Sequence, residues 1–453
     1  MKTLVEYICT EKSTYAYDAI SNKIISISGD FIQPLTKRDS FAITNYLTRC
    51  GVISENKIKE AIWINSFSEY IKMLGGKIPA LVLELEQECN LRCDYCVYSG
   101  NYENYRTHNA TAMKIDTAMK AIEFFHSHNR EADKATIFFF GGEPLLRQDT
   151  IKTLVEYAKS IFGSKPLSFS ASTNGTLITP DFLSWLHTEP TFNLYITLNG
   201  TNHDKYRHFP DSRGSLKIIL NHISFARDNF PDVYNNQIKF LCNVDSFAEM
   251  VDARNFYISH SLHTPATTSF IMKRYGNEKI DSILRADIQR DNVAFEALVD
   301  LYINSGDEFC HSHFSDSLMT IHNRSMTAVY DCVPIERTCQ PFGAKLFIDA
   351  TGQFNICERT NSTINLGNIQ NGFNLEGIKT LLDSYKNISS NACIYCSVQR
   401  LCPRCLAAMI SGNLFCSIPD DICKNIRMSI LRELKLYCEI SEKNPKLLRL
   451  LSR

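Results

Sequence analysis

The chain has 453 residues, 44% hydrophobic and 21% charged, which suffices for about two or three domains with hydrophobic cores. The formal net charge of −1 offers no basic surplus for phosphate backbones, so we expect no nucleic-acid partner. The amino-terminal stretch has no long apolar run and no apolar run elsewhere could cross a bilayer, so we expect a cytoplasmic protein without membrane contact.

The first region, residues 1–77, combines a hairpin signal with helical patterns. Two β-prone runs lie within residues 15–28 and are separated by turn-forming residues. Helical patterns follow at about 37–50 and 55–73. A hairpin with helices predicts a small winged-helix-like module.

The second region, residues 78–310, alternates strands and helices, which predicts an α/β fold with a parallel sheet and right-handed crossovers. Six β/α units are too few for a closed eight-stranded barrel, so we predict a partial (β/α)6 barrel. Its ligands should bind at the carboxyl ends of the strands. The predicted strands are 80–86, 135–140, 167–173, 193–199, 237–244 and 267–272, with helical patterns between them at 118–125, 150–162 and 216–227.

The third region, residues 311–453, is rich in cysteine and poor in long regular elements before a helical pattern at 421–438. The whole chain has 17 cysteines. Disulfides are rare in a reducing cytosol, so clustered cysteines there favour metal ligation or redox chemistry. Metal ligation would also supply folding energy to a loop-rich region.

Three cysteines, Cys89, Cys93 and Cys96, follow the first predicted strand of the second region. A short loop of this kind can hold one 4Fe–4S cluster through three thiolates and leave the fourth iron without a protein ligand. That iron can bind the amino and carboxylate groups of S-adenosylmethionine (SAM). A structural zinc site would want four protein ligands.

This triad, together with an aromatic residue before its last cysteine and the motif GGEP after the next strand, resembles the radical SAM superfamily. The turns STNGT (172–176) and TLNG (197–200), followed by a D-x-x-R pattern and a GS pair, resemble it as well, although Asn199 stands where Asp is usual. The resemblance implies an enzyme that reductively cleaves SAM to a 5′-deoxyadenosyl radical, with a reductant such as flavodoxin or ferredoxin. It also implies SAM contacts by Tyr95, Gly141, Gly142, Glu143, Thr173, Asn174, Thr197 and Asn199.

The carboxy-terminal cysteine spacing resembles the SPASM domain, an auxiliary-cluster module, except that the last short spacing is two residues instead of three. The resemblance implies two auxiliary 4Fe–4S clusters and therefore three clusters in total. Cys416 is an alternative to Cys423, and zinc is an alternative to iron, although zinc ribbons separate their CxxC pairs by about fifteen to twenty residues. One cluster would be held by Cys332, Cys339, Cys357 and Cys405, and the other by Cys393, Cys396, Cys402 and Cys423. The cysteines left over, expected to be buried apolar residues, are Cys9, Cys50, Cys242, Cys310 and Cys438.

The amino-terminal module resembles the RiPP recognition element, which binds the leader of a ribosomally made precursor peptide along a strand edge. This resemblance implies a peptide maturase that forms a thioether or carbon–carbon crosslink in such a peptide. The alternative is an enzyme similar to anaerobic sulfatase maturases, which oxidise Cys or Ser to formylglycine. The sequence does not single out a catalytic acid or base.

Overall fold

A single apolar core links the three regions predicted from the sequence. Its buried side chains run from Leu4 near the amino terminus to Leu451 near the carboxy terminus. The structure is a computed structural model that describes residues 3–27, 37–102, 105–271, 288–360, 364–411, 414–415 and 420–451.

The amino-terminal module is a three-stranded antiparallel sheet followed by a helix. Strands β1 (Val5–Cys9), β2 (Thr14–Asp18) and β3 (Lys23–Ile27) are paired in that order. The pairing of β2 with β3 confirms the predicted hairpin, and Asn22 in its turn has a left-handed φ of 57°. Helix α1 (Lys37–Arg49) follows as predicted. The winged-helix assignment stays a prediction.

The predicted helix at 55–73 is wrong in its first half. Residues Glu60–Trp63 form strand β4, and only Phe67–Leu74 form helix α2. The reason is tertiary, because β4 pairs in parallel with β11 (Cys332–Ile335), more than 250 residues away along the chain. The indole of Trp63 also donates a 3.0 Å hydrogen bond to the carbonyl of Leu382.

All six predicted strands of the second region form one parallel sheet, as expected for a partial barrel. Their hydrogen-bonded order follows the chain without interruption, which is the pattern of repeated right-handed β/α units. The strands are β5 (Ala80–Glu86), β6 (Ala135–Gly141), β7 (Leu167–Thr173), β8 (Phe192–Thr197), β9 (Ile238–Val244) and β10 (Thr267–Phe270).

Helices connect these strands, and the longer ones bury apolar side chains in the core. On the sheet, the rings of Phe139, Phe169 and Phe192 stack at centroid distances of 6.0 to 6.5 Å. The connecting helices are α3 (Ile115–His128), α4 (Gln148–Phe162), α5 (Pro180–Thr188), α6 (His203–Tyr206), α7 (Leu216–Asn229), α8 (Pro231–Asn236) and α9 (Phe247–Ser259).

Two further strands extend the sheet beyond β5 and were not predicted. Strand β12 (Leu346–Ile348) pairs in parallel with β5, and β13 (Phe354–Asn355) pairs with β12 in the antiparallel direction. Strands of two or three residues are too short to show a periodic pattern. This extension attaches the cysteine-rich region directly to the strand that leads into the triad.

The rest of the chain is more helical than the sequence suggested. The boundary placed after residue 310 falls inside a helix, and an 18-residue helix lies between the cysteines. Among the described residues, no helix is long and apolar enough to span a membrane. These helices are α10 (Ile288–Ser305), α11 (Glu308–His322), α12 (Leu375–Ala392) and α13 (Asp420–Lys443), with two-residue strands β14 (Gly367–Asn368), β15 (Gly372–Phe373), β16 (Ile410–Ser411) and β17 (Leu414–Phe415).

Candidate active site

The three cysteines of the triad line one cavity of about 140 Å³ at the carboxyl ends of the strands. Cys89 and Cys93 are buried and Cys96 is partly buried. The predicted SAM contacts that share this cavity are Tyr95, Gly141, Gly142, Thr173, Asn174 and Thr197. The lining residues that we did not predict are Leu91, His108, Phe140, Ser172 and Arg207.

The chemistry of this donor set suits an iron–sulfur cluster with one open iron. Among the described residues that line the cavity, these three are the only cysteines, so a fourth protein thiolate is missing. In the described part of the chain, no three ligand side chains lie close enough together to hold a single metal ion. A four-iron cluster is wider than one ion, so its ligands do not need to lie that close. Burial raises the pKa of the free Cys89 thiol to about 12, so metal binding must supply the energy that deprotonates it.

The two glycines of GGEP allow the loops after β5 and β6 to touch. Gly141 has a φ of 153°, and a Cβ atom there would lie 2.0 Å from the carbonyl oxygen of Glu86. A Cβ atom on Gly142 would lie 2.2 Å from the carbonyl oxygen of Glu88. We expected these glycines to let the backbone approach a ligand; the structure shows that they also bring it against the loop that begins at Cys89.

The carboxylate of Glu143 is fully engaged by protein donors. It accepts hydrogen bonds from the hydroxyl of Thr173 and the backbone N–H of Asn174, both at 2.7 Å, and from the N–H of Leu145 at 2.9 Å. Burial raises its pKa, which these three hydrogen bonds oppose. Glu143 therefore ties the GGEP loop to the TNG turn, and the amide of Asn174 in turn reaches the Cys89 sulfur at 3.8 Å.

Tyr95 is held from two sides. Its hydroxyl accepts a 2.7 Å hydrogen bond from the guanidinium of Arg207 and a 3.2 Å bond from the amide of Asn199. The Asn199 carbonyl oxygen accepts the backbone N–H of Asn243 at 3.0 Å. Asn199 thus lies behind Tyr95 rather than among the residues that line the cavity, and its contacts position the tyrosine.

Arg207 is the site residue whose role the sequence did not reveal. It is only 7% exposed, lines the cavity, and its Nε atom has no hydrogen-bond partner among the described residues. Burial opposes its charge, but Cys93 and Tyr95 raise its pKa above the usual value. A buried guanidinium with a free donor beside the triad suits a ligand carboxylate. Its position in the D-x-x-R pattern was the only signal.

The residues around Arg207 explain the D-x-x-R and GS patterns. The Asp204 carboxylate accepts the backbone N–H groups of Ser215 and Leu216 at 2.8 Å and so caps α7. The Ser215 hydroxyl donates to the Arg207 carbonyl at 2.9 Å, and His203 lies 3.1 Å from that hydroxyl. These contacts fix the backbone that carries the arginine.

A second, larger cavity of about 420 Å³ adjoins the first. Tyr95 and Cys96 line both cavities, and Asn243 at the end of β9 lines the larger one. Among the described residues of the cysteine-rich region, only Arg359, two residues after Cys357, lines it. This cavity therefore extends from the triad to the loop of a predicted auxiliary-cluster ligand.

The carboxy-terminal cysteines fall into two electrostatic groups. Burial is the main cause that raises the pKa of Cys402, to about 11, and the pKa of Cys423, and Cys393 and Cys396 add to both shifts. These are the four cysteines predicted to share one cluster.

Elsewhere in this region, Cys405 adds to the raised pKa of Cys357, whose main cause is burial. This places two members of the other predicted set near each other. The described contacts do not join Cys332 or Cys339 to them, so their ligand roles stay predictions, and Cys416 lies outside the described residues. Of the unassigned cysteines, Cys242, Cys310 and Cys438 are buried as expected, whereas Cys9 is only partly buried and Cys50 is exposed.

The chain resembles several known proteins. A family model of the radical SAM superfamily matches residues 86–252. The radical SAM cyclopropyl synthase TigE of Paramaledivibacter caminithermalis is 25% identical over 399 residues, which cover 81% of this chain and 76% of TigE. The cysteine-type anaerobic sulfatase-maturating enzyme of Clostridium novyi is 30% identical over 148 residues, which cover 32% of this chain and 38% of that protein. The structure of anSMEcpe with bound AdoMet has the same fold, with a TM-score of 0.60 at 18% identity, and covers 82% of this chain and 95% of that chain.

The parallel sheet is open, and its first strand leads into a three-cysteine loop that suits a cluster at the carboxyl edge of the sheet. Residues 86–252 match the radical SAM superfamily, so this part of the chain is a radical SAM domain. SAM and a 4Fe–4S cluster are the cofactors that this superfamily implies.

Replacing Cys93 with Ala should remove the cluster of the triad. We expect the reconstituted variant to lose about four iron atoms per chain and to form no 5′-deoxyadenosine from SAM. Iron analysis and chromatography of the SAM products measure both. Cys242→Ala, a buried cysteine of β9 outside the cavity, serves as the control and should keep both properties. Persistent SAM cleavage in Cys93→Ala would contradict the assignment.

Replacing Arg207 with Met should weaken SAM binding without loss of the cluster. A charge-assisted hydrogen bond in a buried site corresponds to a loss of about tenfold or more in affinity. Equilibrium dialysis of SAM against the unreduced, reconstituted enzyme measures it. Arg213→Met, an exposed arginine six residues further on, should bind SAM like the wild type. An unchanged dissociation constant in Arg207→Met would show that the guanidinium does not contact SAM.

Replacing Gly141 with Ala should destabilise the protein through a backbone clash. We expect a loss of about 3 kcal/mol or more, since overpacking adds to the strain of the φ angle. Gly51→Ala is the matched control, because Gly51 also has a positive φ but open space around it, and only the roughly 1–2 kcal/mol of strain applies. Denaturant unfolding compares the two, and equal losses would rule out the clash.

Proposed function

We propose that the protein is a peptide maturase that forms a thioether or carbon–carbon crosslink in a ribosomally made precursor peptide. The observation that carries this proposal is the larger cavity, because the triad residue Cys96 and the loop after Cys357 both line it. A substrate residue bound there lies beside the site of radical formation and beside a predicted auxiliary-cluster ligand. Such a crosslink removes two hydrogens in total, one as an atom and one as a proton with an electron left over.

Different residues around the two cavities would bind SAM, separate it from the substrate and exclude water. When bound, SAM and the clusters supply the radical that removes a hydrogen atom and an acceptor for the remaining electron. Arg207 holds the SAM carboxylate, and the ring of Tyr95, fixed by Asn199, forms the wall between SAM and the substrate. The apolar side chains of Leu241 and Ile271 exclude water from the larger cavity.

The amino-terminal sheet supports a peptide substrate. In the described part of the chain, β3 pairs only with β2, which leaves its other edge available for strand addition. Lys23 and Ser26 on β3 are exposed. We propose that the leader of the precursor peptide binds along this edge.

The alternative is oxidation of a Cys or Ser to formylglycine. It is favoured by the 30% identity to a sulfatase-maturating enzyme over 148 residues, although this stretch covers only 38% of that relative. A relative whose match covers 81% of this chain is instead named a cyclopropyl synthase. This supports bond formation as the first candidate.

Mass spectrometry of the product separates the two reactions. The enzyme, SAM and dithionite are incubated with a candidate precursor peptide, chosen as a short cysteine-containing reading frame if one is encoded beside the gene, and, separately, with a Cys-containing sulfatase peptide. We expect the candidate precursor peptide to lose two hydrogens, to keep its sulfur and to show a crosslink in tandem spectra. Loss of the cysteine sulfur, or oxidation of the sulfatase peptide alone, would favour formylglycine formation over crosslinking.

Paired substitutions test the two auxiliary clusters that we propose. Cys357→Ala with Cys405→Ala should cost about four iron atoms per chain, because both cysteines belong to one cluster. Cys357→Ala with Cys402→Ala should cost about eight, because each belongs to a different cluster. Iron analysis after anaerobic reconstitution decides this. Equal losses in the two double variants would contradict the interleaved assignment, and bound zinc would contradict iron.

A further inference from the structure

The described side chains that line the larger cavity beside the triad are uncharged, apart from one arginine. Among the described residues that line it, Arg359 is the only Lys, Arg, Asp or Glu. The others are apolar, such as Leu241 and Ile271, or polar and neutral, such as Asn243 and Ser269. Among these residues, Arg359 is therefore the one formal charge that a ligand in this cavity would meet.

The guanidinium of Arg359 has no carboxylate partner among the described residues, and its side chain is exposed. The adjacent carboxylate, Glu358, is already engaged, because the Lys345 ammonium donates to both of its oxygens at 2.8 and 2.6 Å. The acidic residue nearest along the chain therefore does not neutralise Arg359.

The loop that carries Arg359 is fixed in place. The backbone N–H of Arg359 lies 3.4 Å from the Cys357 sulfur, and the Thr360 hydroxyl donates to the Cys357 carbonyl at 3.0 Å. The hydroxyl of Tyr98, two residues after the last triad cysteine, donates to the Glu358 carbonyl. Arg359 thus lies on a loop that contacts both Cys357 and the segment that follows the triad.

We propose that Arg359 is a specificity-determining residue that binds a carboxylate of the peptide substrate in the larger cavity. The inference rests on the proposed function, which it extends to the substrate's chemistry. The planar guanidinium can bind a carboxylate through two parallel hydrogen bonds. The carboxylate comes from an Asp or Glu side chain next to the modified residue or from the end of the peptide.

Fluorescence anisotropy with three labelled pentapeptides tests the proposal on the reconstituted enzyme with SAM and no reductant. The probes are Gly-Cys-Gly-Glu-Gly amide, its Gln counterpart, and Gly-Cys-Gly-Gly-Gly with a free carboxylate. We expect the wild type to bind a carboxylate probe about tenfold more tightly than the Gln probe. Preference for the Glu probe assigns a side-chain carboxylate, and preference for the third probe assigns the peptide end.

Two variants and one control attribute this preference to Arg359. Arg359→Gln should bind all three probes equally, and Arg359→Glu should prefer a Lys counterpart of the Glu probe. Arg130→Gln, an exposed arginine outside the cavity, should behave like the wild type. Iron content and SAM binding of each variant confirm intact folding and cofactor loading.

Two results would overturn the proposal: equal or undetectable binding of the three probes by the wild type, or a carboxylate preference that survives in Arg359→Gln. Failure of the proposed function would give a different experimental result. In that case the wild type forms no crosslink in the candidate precursor peptide, whatever its preference among the pentapeptides.

Discussion

The structure depends on burying cysteine sulfurs next to fixed cations. A thiolate is costly to bury alone, and burial raises the pKa of Cys89 and Cys402 when they are free thiols. At the triad, Arg207 is the buried cation, held by Tyr95 and by the Ser215 contact to its own carbonyl. This arginine keeps a positive charge beside the site where an anionic cluster would bind.

The carboxy-terminal cysteines follow the same rule with a different arginine. Arg404 donates to the Cys393 sulfur and to the hydroxyls of Tyr385 and Ser389, the last two at 2.8 and 3.0 Å. Its guanidinium also lies 5.1 Å from the centre of the Tyr385 ring. Helix α12, which supplies both hydroxyls, therefore orients the cation of one cysteine set. Strand β12 attaches the segment between Cys339 and Cys357 to β5, the barrel strand that leads into the triad.

The sequence predicted those parts of the fold that have a local pattern. The strands 80–86 and 167–173 are buried runs of the right length, and the structure has them at the same residues. Strand β4 was missed because its partner lies far along the chain, and β12 because three residues show no period. In the site, the triad was predictable from spacing, whereas the placement of Arg207 depends on its contact with Tyr95, which lies 112 residues earlier in the chain.

The most direct test of the central claim is the electron paramagnetic resonance spectrum of the reduced, reconstituted enzyme before and after addition of SAM. If Cys89, Cys93 and Cys96 hold a cluster with an open iron, SAM should change the signal of that cluster and leave any auxiliary signal as it was. The change should be absent in Cys93→Ala. A spectrum that SAM does not alter, in an enzyme with full iron content, would contradict the account.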